Sequence, residues 1–61
     1  MRTTATLTPA GSAWATANRE ASLVARVALT GGLGKGLPWP AQHVAVAVAI
    51  CNREGEAERA A

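Results

Sequence analysis

Phenylalanine and tyrosine are absent, and Trp14 and Trp39 are the two aromatic side chains in 61 residues. A chain of this length buries only about 60% of the surface its unfolded form exposes. Alanine supplies much of the 49% hydrophobic content, and a methyl group offers little area for the roughly 25 cal/mol gained per Å² buried. The core is therefore thin, and small scaffolds usually compensate with disulfides or a structural metal. One cysteine, Cys51, excludes an internal disulfide, and one histidine, His43, has no ligand cluster around it in sequence. Cys51 reads as an apolar filler in a reducing compartment, because nothing near it in sequence would depress its pKa. A basic patch is missing too. Arg2, Arg19, Arg26, Lys35, Arg53 and Arg59 are scattered, so a net charge of +2 gives no nucleic-acid footprint. The longest strongly apolar run, residues 44 to 51, falls far short of the ~20 residues that a membrane-spanning helix takes. These absences point to a cytoplasmic chain with no nucleic-acid or membrane partner.

What is present begins with a leader rich in Ser, Thr and Ala, without an acid before Glu20 and with A-x-A at residues 13 to 15 and 15 to 17. Such a leader is compatible with a targeting segment, or with a flexible, weakly structured start. Thr8-Pro9 suits a helix start, with Thr as N-cap and Pro at the first helical position. Residues 10 to 21 have good helix propensity, weakened by Gly11, and Trp14, Ala17 and Ala21 would share a face. SLVARVAL, residues 22 to 29, can continue that helix or form a strand. As a strand it places Leu23, Ala25, Val27 and Leu29 on one side. HVAVAVAI, residues 43 to 50, alternates β-branched Val44, Val46, Val48 and Ile50 with alanines, which predicts a strand. Unpaired, it would self-associate. The tail NREGEAERAA reads as a short polar helix or a frayed end, with Asn52 a candidate N-cap. The expected fold is an α/β-type fragment: an N-terminal Ala-rich helix, short strands at 22 to 29 and 43 to 50, and a Gly/Pro loop between them. It forms a single incomplete domain divided at residues 21 and 40.

The densest punctuation is GGLGKGLPWP, residues 31 to 40. It fails as a dinucleotide fingerprint, because Leu37 stands where the third Gly belongs, and as a P-loop, because Lys35 is not followed by Ser or Thr. With the segment before it, however, Ser22-Leu23-Val24-Ala25, Ala28, Leu33-Gly34 and Leu37-Pro38-Trp39-Pro40 match in order the start of dihydrofolate reductases. That family opens with a strand of the type S-L-I-A-x-x-A and runs through a mobile loop to L-P-W. Residues 22 to 40 thus resemble the N-terminus of the dihydrofolate reductase family.

The resemblance implies NADPH as cofactor and a folate-type molecule as substrate. It places Val24, Ala25, Leu37 and Trp39 at the substrate, and Ala25, Leu33 and Gly34 at the cofactor. Arg26 stands where the family has a small residue near the nicotinamide, and the loop is about two residues short, which puts its closure over cofactor in doubt. The acid that supports pterin protonation should fall at 44 or 45, where Val44 and Ala45 cannot exchange a proton. The expectation is an inactive fragment of such a reductase, with no catalytic or metal-binding residue of its own. Two alternatives accompany it. Leu29-Thr30-Gly31-Gly32 resembles the double-glycine end of a bacteriocin leader, which would make residues 33 to 61 a secreted peptide. The third reading is a small interaction module, or a translated frame with no enzymatic activity, able to add to a partner's sheet edge.

Overall fold

The computed structural model describes residues 6 to 31, 33 to 34 and 37 to 61, with the backbone alone described for 33, 34, 37 and 38. Gly32, Lys35 and Gly36 of the Gly-rich stretch, and the first five residues of the leader, lie outside the described residues.

Helix α1, Pro9–Ala17, begins where Thr8-Pro9 predicts. The Thr8 hydroxyl accepts from the Gly11 N–H at 3.0 Å, satisfying one of the donors that the first turn leaves open. Asn18 ends the helix: its side-chain amide donates to the Trp14 carbonyl at 2.8 Å. Its own carbonyl accepts from Ala21 and Ser22, which turns the chain back. Ala17 is exposed, and Ala21 lies beyond the helix and exposed, so the expected Trp14, Ala17 and Ala21 face does not form a contact surface.

The two expected strands are helices, and the fold is all-helical rather than α/β. Residues 23 to 30 form α2, Leu23–Thr30. Its N-cap is Ser22, whose hydroxyl accepts from the Ala25 N–H at 3.2 Å. Its C-cap is Gly31 at φ 65°, a left-handed geometry that costs Gly little, with its N–H on the Val27 carbonyl. The strand face proposed for Leu23, Ala25, Val27 and Leu29 is broken up, because Ala25, Val27 and Ala28 are buried while Leu23 is half exposed. Between α2 and the last helix lies a two-residue antiparallel pairing, β1 (Leu33–Gly34) with β2 (Leu37–Pro38), in register Leu33 to Pro38 and Gly34 to Leu37.

Residues 43 to 50 and the polar tail together form one helix, α3, Ala41–Ala60, of 20 residues. Val44, Val46, Val48 and Ile50 therefore do not share a face: Val48 is buried, Val44 and Ile50 are half-buried and Val46 is exposed. Ala47, Val48, Cys51 and Gly55 turn inward instead, with Val44 packed beside them, at the three- and four-residue spacing of a helix. Ala is the best helix former and the penalty for Val is only some tenths of a kcal/mol. A helix closes its own hydrogen bonds, whereas residues 43 to 50 as a strand would have only residues 22 to 29 to pair with, and an isolated two-stranded unit is at best marginally stable in water.

α3 is the spine, with α1 against its C-terminal half, α2 against its N-terminal half, and α1 touching α2. The molecule is a slab of 34 × 31 × 13 Å. Its short dimension leaves room for helix seams but not for a layer of large side chains. The core accordingly consists of Ala15, Ala25, Val27, Ala28, Ala47, Val48 and Cys51, and Cys51 is the largest side chain fully enclosed.

The α1/α3 seam is the tighter one. At Gly55 the α3 backbone meets the Ala10 carbonyl and the Gly11 amide so closely that a Cβ there would overlap the α1 backbone. One turn earlier, Asn52 holds the start of α1: its Oδ1 accepts from the Thr8 N–H at 2.9 Å and from the Thr8 hydroxyl at 3.3 Å. Its Nδ2 donates to the Thr6 carbonyl at 3.1 Å. The candidate N-cap of a separate tail helix is thus an interior residue of α3 that ties in the N-terminal segment.

Candidate functional site

The α2/α3 seam is closed below and open above. Ser22 starts α2 so that Leu23, Val24 and Val27 fall on the side facing α3. Pro40, with extended backbone at ψ 145°, starts α3 so that His43, Val46 and Ile50 fall on the side facing α2. Between them lies an apolar groove of about 200 Å³, floored by Ala47 and closed at one end by Trp39. Leu23, 50% exposed, and Val46, 55% exposed, stand at its two rims as the exposed large hydrophobics of the described chain. Trp39 packs on His43 edge to face, with ring centroids 6.0 Å apart and planes at 70°. Aromatic pairs favour this edge-to-face arrangement by about 0.5–1.5 kcal/mol.

Two of the residues that the reductase resemblance assigns to substrate, Val24 and Trp39, line this groove together. Ala25, assigned to substrate and cofactor, is 0% exposed inside the core and cannot touch a ligand without unpacking the seam. Leu33, Gly34 and Leu37 sit in the β1/β2 pairing, and their side chains lie outside the described residues. No carboxylate lines the groove: Val44 and Ala45 are half-buried, and Glu54, Glu56 and Glu58 lie exposed on the far half of α3. His43 is its one titratable lining residue. The groove can exclude water from an apolar surface and orient it against an indole. It offers no second group to exchange protons with His43.

Leu23, Val27, Val46 and Ile50 were not candidates on sequence grounds. Their signal is the spacing 23/27 and 43/46/50, which puts them on one side only when both segments are helical. A second, wider recess of about 410 Å³ lies between α1 and the end of α3, where Trp14 and Ala13 face Gly55, Glu58 and Arg59. Cys51 lies in the core, where loss of hydration raises its thiol pKa above the ordinary 9.0, opposite to the activation of a nucleophile. Among the described residues no group of three or more His, Cys, Asp or Glu is placed to hold a metal ion. No helix among them is long and apolar enough to cross a membrane.

No protein-family model matches this chain, and no curated protein and no solved structure matches it.

Proposed function

We propose that this chain is a small helical docking module that recognises an apolar surface through the groove between α2 and α3. The observation that carries the reading is the inverted distribution of its apolar side chains. The enclosed positions hold Ala, Val and Cys, while Leu23, Val46, Ile50 and Trp39 stay partly or largely in water around one concavity. Domains ordinarily bury an apolar face against a second layer, and a slab one seam thick has none. What supports the reading is that the two exposed large apolar side chains, Leu23 and Val46, flank one apolar groove rather than lying apart. The indole of Trp39 among the lining residues adds an aromatic side chain of the type enriched at the centres of interfaces.

The test uses a small amphiphilic reporter of apolar surface, 8-anilinonaphthalene-1-sulfonate, titrated into isotope-labelled protein at micromolar concentration. Amide shifts should cluster on residues 23 to 27, 39, 43, 46, 47 and 50. Replacing Leu23→Ser and Val46→Ser together should weaken binding about tenfold, as expected from losing two apolar contacts of about 0.8 kcal/mol each. Shifts scattered over α1 and the end of α3, or no saturable binding, would remove the proposal.

A second reading keeps the folate-type ligand, favoured by the meeting of Val24 and Trp39 in one groove. On that reading the chain is a reductase-like fragment without turnover. Titration with NADPH and an antifolate, followed by Trp39 fluorescence against a Trp39→Leu control, separates it from the first. Saturable quenching that the control loses would favour the folate reading.

A further inference from the structure

Resting on the docking reading, we infer that the occupant of the α2/α3 groove is a second copy of this chain, seated face to face about a two-fold axis near Val46. The inference comes from where charge is missing. In an isologous interface each residue near the axis meets its own copy, so any charge there faces a like charge. Between Lys35 and Arg53 the sequence holds no Lys, Arg, Asp or Glu, and this stretch supplies the whole α3 side of the groove. Arg26, the charged residue of α2, instead lines a separate recess with Arg19 and Glu20. A groove built for an acidic or basic peptide would carry a complementary charge at its rim. This one carries none among its lining residues, although cations outnumber acids in the whole chain.

Shape agrees with charge. The same face presents a ridge, Val46 and Ile50, and beside it the groove between that ridge and Leu23. Turned over by a two-fold rotation, the ridge of one copy enters the groove of the other, as ridges pack into grooves between helices. An antiparallel pairing of the two α3 helices near Val46 brings Ile50 of each copy toward the partner's Trp39 and His43 pair. The result is the second layer that the slab lacks.

Size sets the strength. The groove face is only part of a 34 × 31 Å outline, which puts it among the small interfaces of weak, transient pairing. Pairing is therefore expected to be weak and concentration-dependent.

Sedimentation equilibrium of the purified chain from about 1 µM to 1 mM tests this. The average mass should rise from 6.2 kDa toward twice that value. Val46→Asp and Val46→Lys, at a position already 55% exposed, should each stay monomeric with an unchanged far-ultraviolet spectrum. When they are mixed in equal amounts, the heterodimer should recover. Recovery identifies a two-fold axis near Val46, because only there does each copy's residue 46 meet the other's. Three outcomes overturn the inference: a monomer at 1 mM, a dimer unaffected by either charge, or two monomeric variants that fail to pair on mixing. A monomer that still takes up anilinonaphthalene sulfonate at the groove would sink self-pairing and leave the docking reading standing. A monomer that takes up none would sink both.

Discussion

The two halves of α3 solve opposite problems. In the C-terminal half, Gly55 lets backbone touch backbone and Asn52 ties down Thr6 and Thr8, so the seam with α1 is closed by contact and hydrogen bonds. In the N-terminal half, Ala47 and Val48 close only the bottom of the seam with α2, and Leu23, Val46 and Ile50 are left around an open groove. Charge divides the same way, with Arg53, Glu54, Glu56, Glu58 and Arg59 all in the C-terminal half of the spine. A chain short of large core residues thus holds its fold with small residues and one amide. Leu23 and Val46 are left exposed beside the open groove.

The comparison breaks most sharply at Gly55. A Gly→Ala change inside an exposed helix normally stabilises by about 1 kcal/mol. Here the added methyl would overlap the Ala10 carbonyl and the Gly11 amide, which are backbone atoms and cannot swing aside. Overpacking of that kind costs typically 1–3 kcal/mol, and occasionally more, so Gly55→Ala should be net destabilising by about 2 kcal/mol. Scaffolds of this size seldom hold more than about 3–5 kcal/mol. Thermal melting by circular dichroism should show a midpoint lowered by more than about 8 °C at roughly 4–8 °C per kcal/mol. In amide exchange, α1 should lose protection before α2. A variant as stable as the parent would mean that the two helices do not touch here.

Asn52 comes next. Asn52→Ala removes three hydrogen bonds that join the start of α1 to the spine. At roughly 0.5–1.5 kcal/mol net for each, less where water replaces the partner, the expected loss is about 1–2 kcal/mol. The groove sits on the other half of α3, so its reporter should bind the variant as it binds the parent. Loss of reporter binding together with stability would show that the two halves do not act separately.

Part of this architecture is legible in the residues and part is not. Thr8-Pro9 announces α1, and the structure begins the helix there. Ser22 and Gly31 bracket α2 as cap residues, yet the segment between them also fits a pleat, and a resemblance that implies a strand pulls the reading the same way. In residues 43 to 50 two periods coexist, because an alternation of Val and Ala satisfies a spacing of two while 44, 47, 48 and 51 satisfy a helical one. What decides is not local. Apart from Asn52 and Gly55, the residues that follow are good helix formers, and among the described residues no strand longer than two residues is present to pair with. The groove inherits that difficulty: Val24 and Trp39 are reachable through the reductase-like motif, but Leu23, Val46 and Ile50 converge only once both segments are helices. Gly55 gives no signal at all, since a glycine amid charged residues reads as a weak point until α1 is laid across it.

Where the two halves meet stands Cys51, and its thiol gives the smallest expected effect. Burial raises its pKa above the ordinary 9.0, because the thiolate would lose its hydration in the core. Below about pH 8 the thiol is protonated in both the folded and the unfolded chain, and its contribution to stability is fully present. Above the unfolded value the unfolded chain sheds the proton first, so it binds fewer protons than the fold and stability falls with rising pH. That loss continues until the pH passes the raised value in the fold. Denaturant melts between pH 7 and 10.5 should show this decline in the parent chain. Cys51→Ala removes it and keeps the slope contributed by every other group. Parallel curves for the two proteins would place the sulfur in contact with water, and with it would go the claim that the junction of the two halves is sealed.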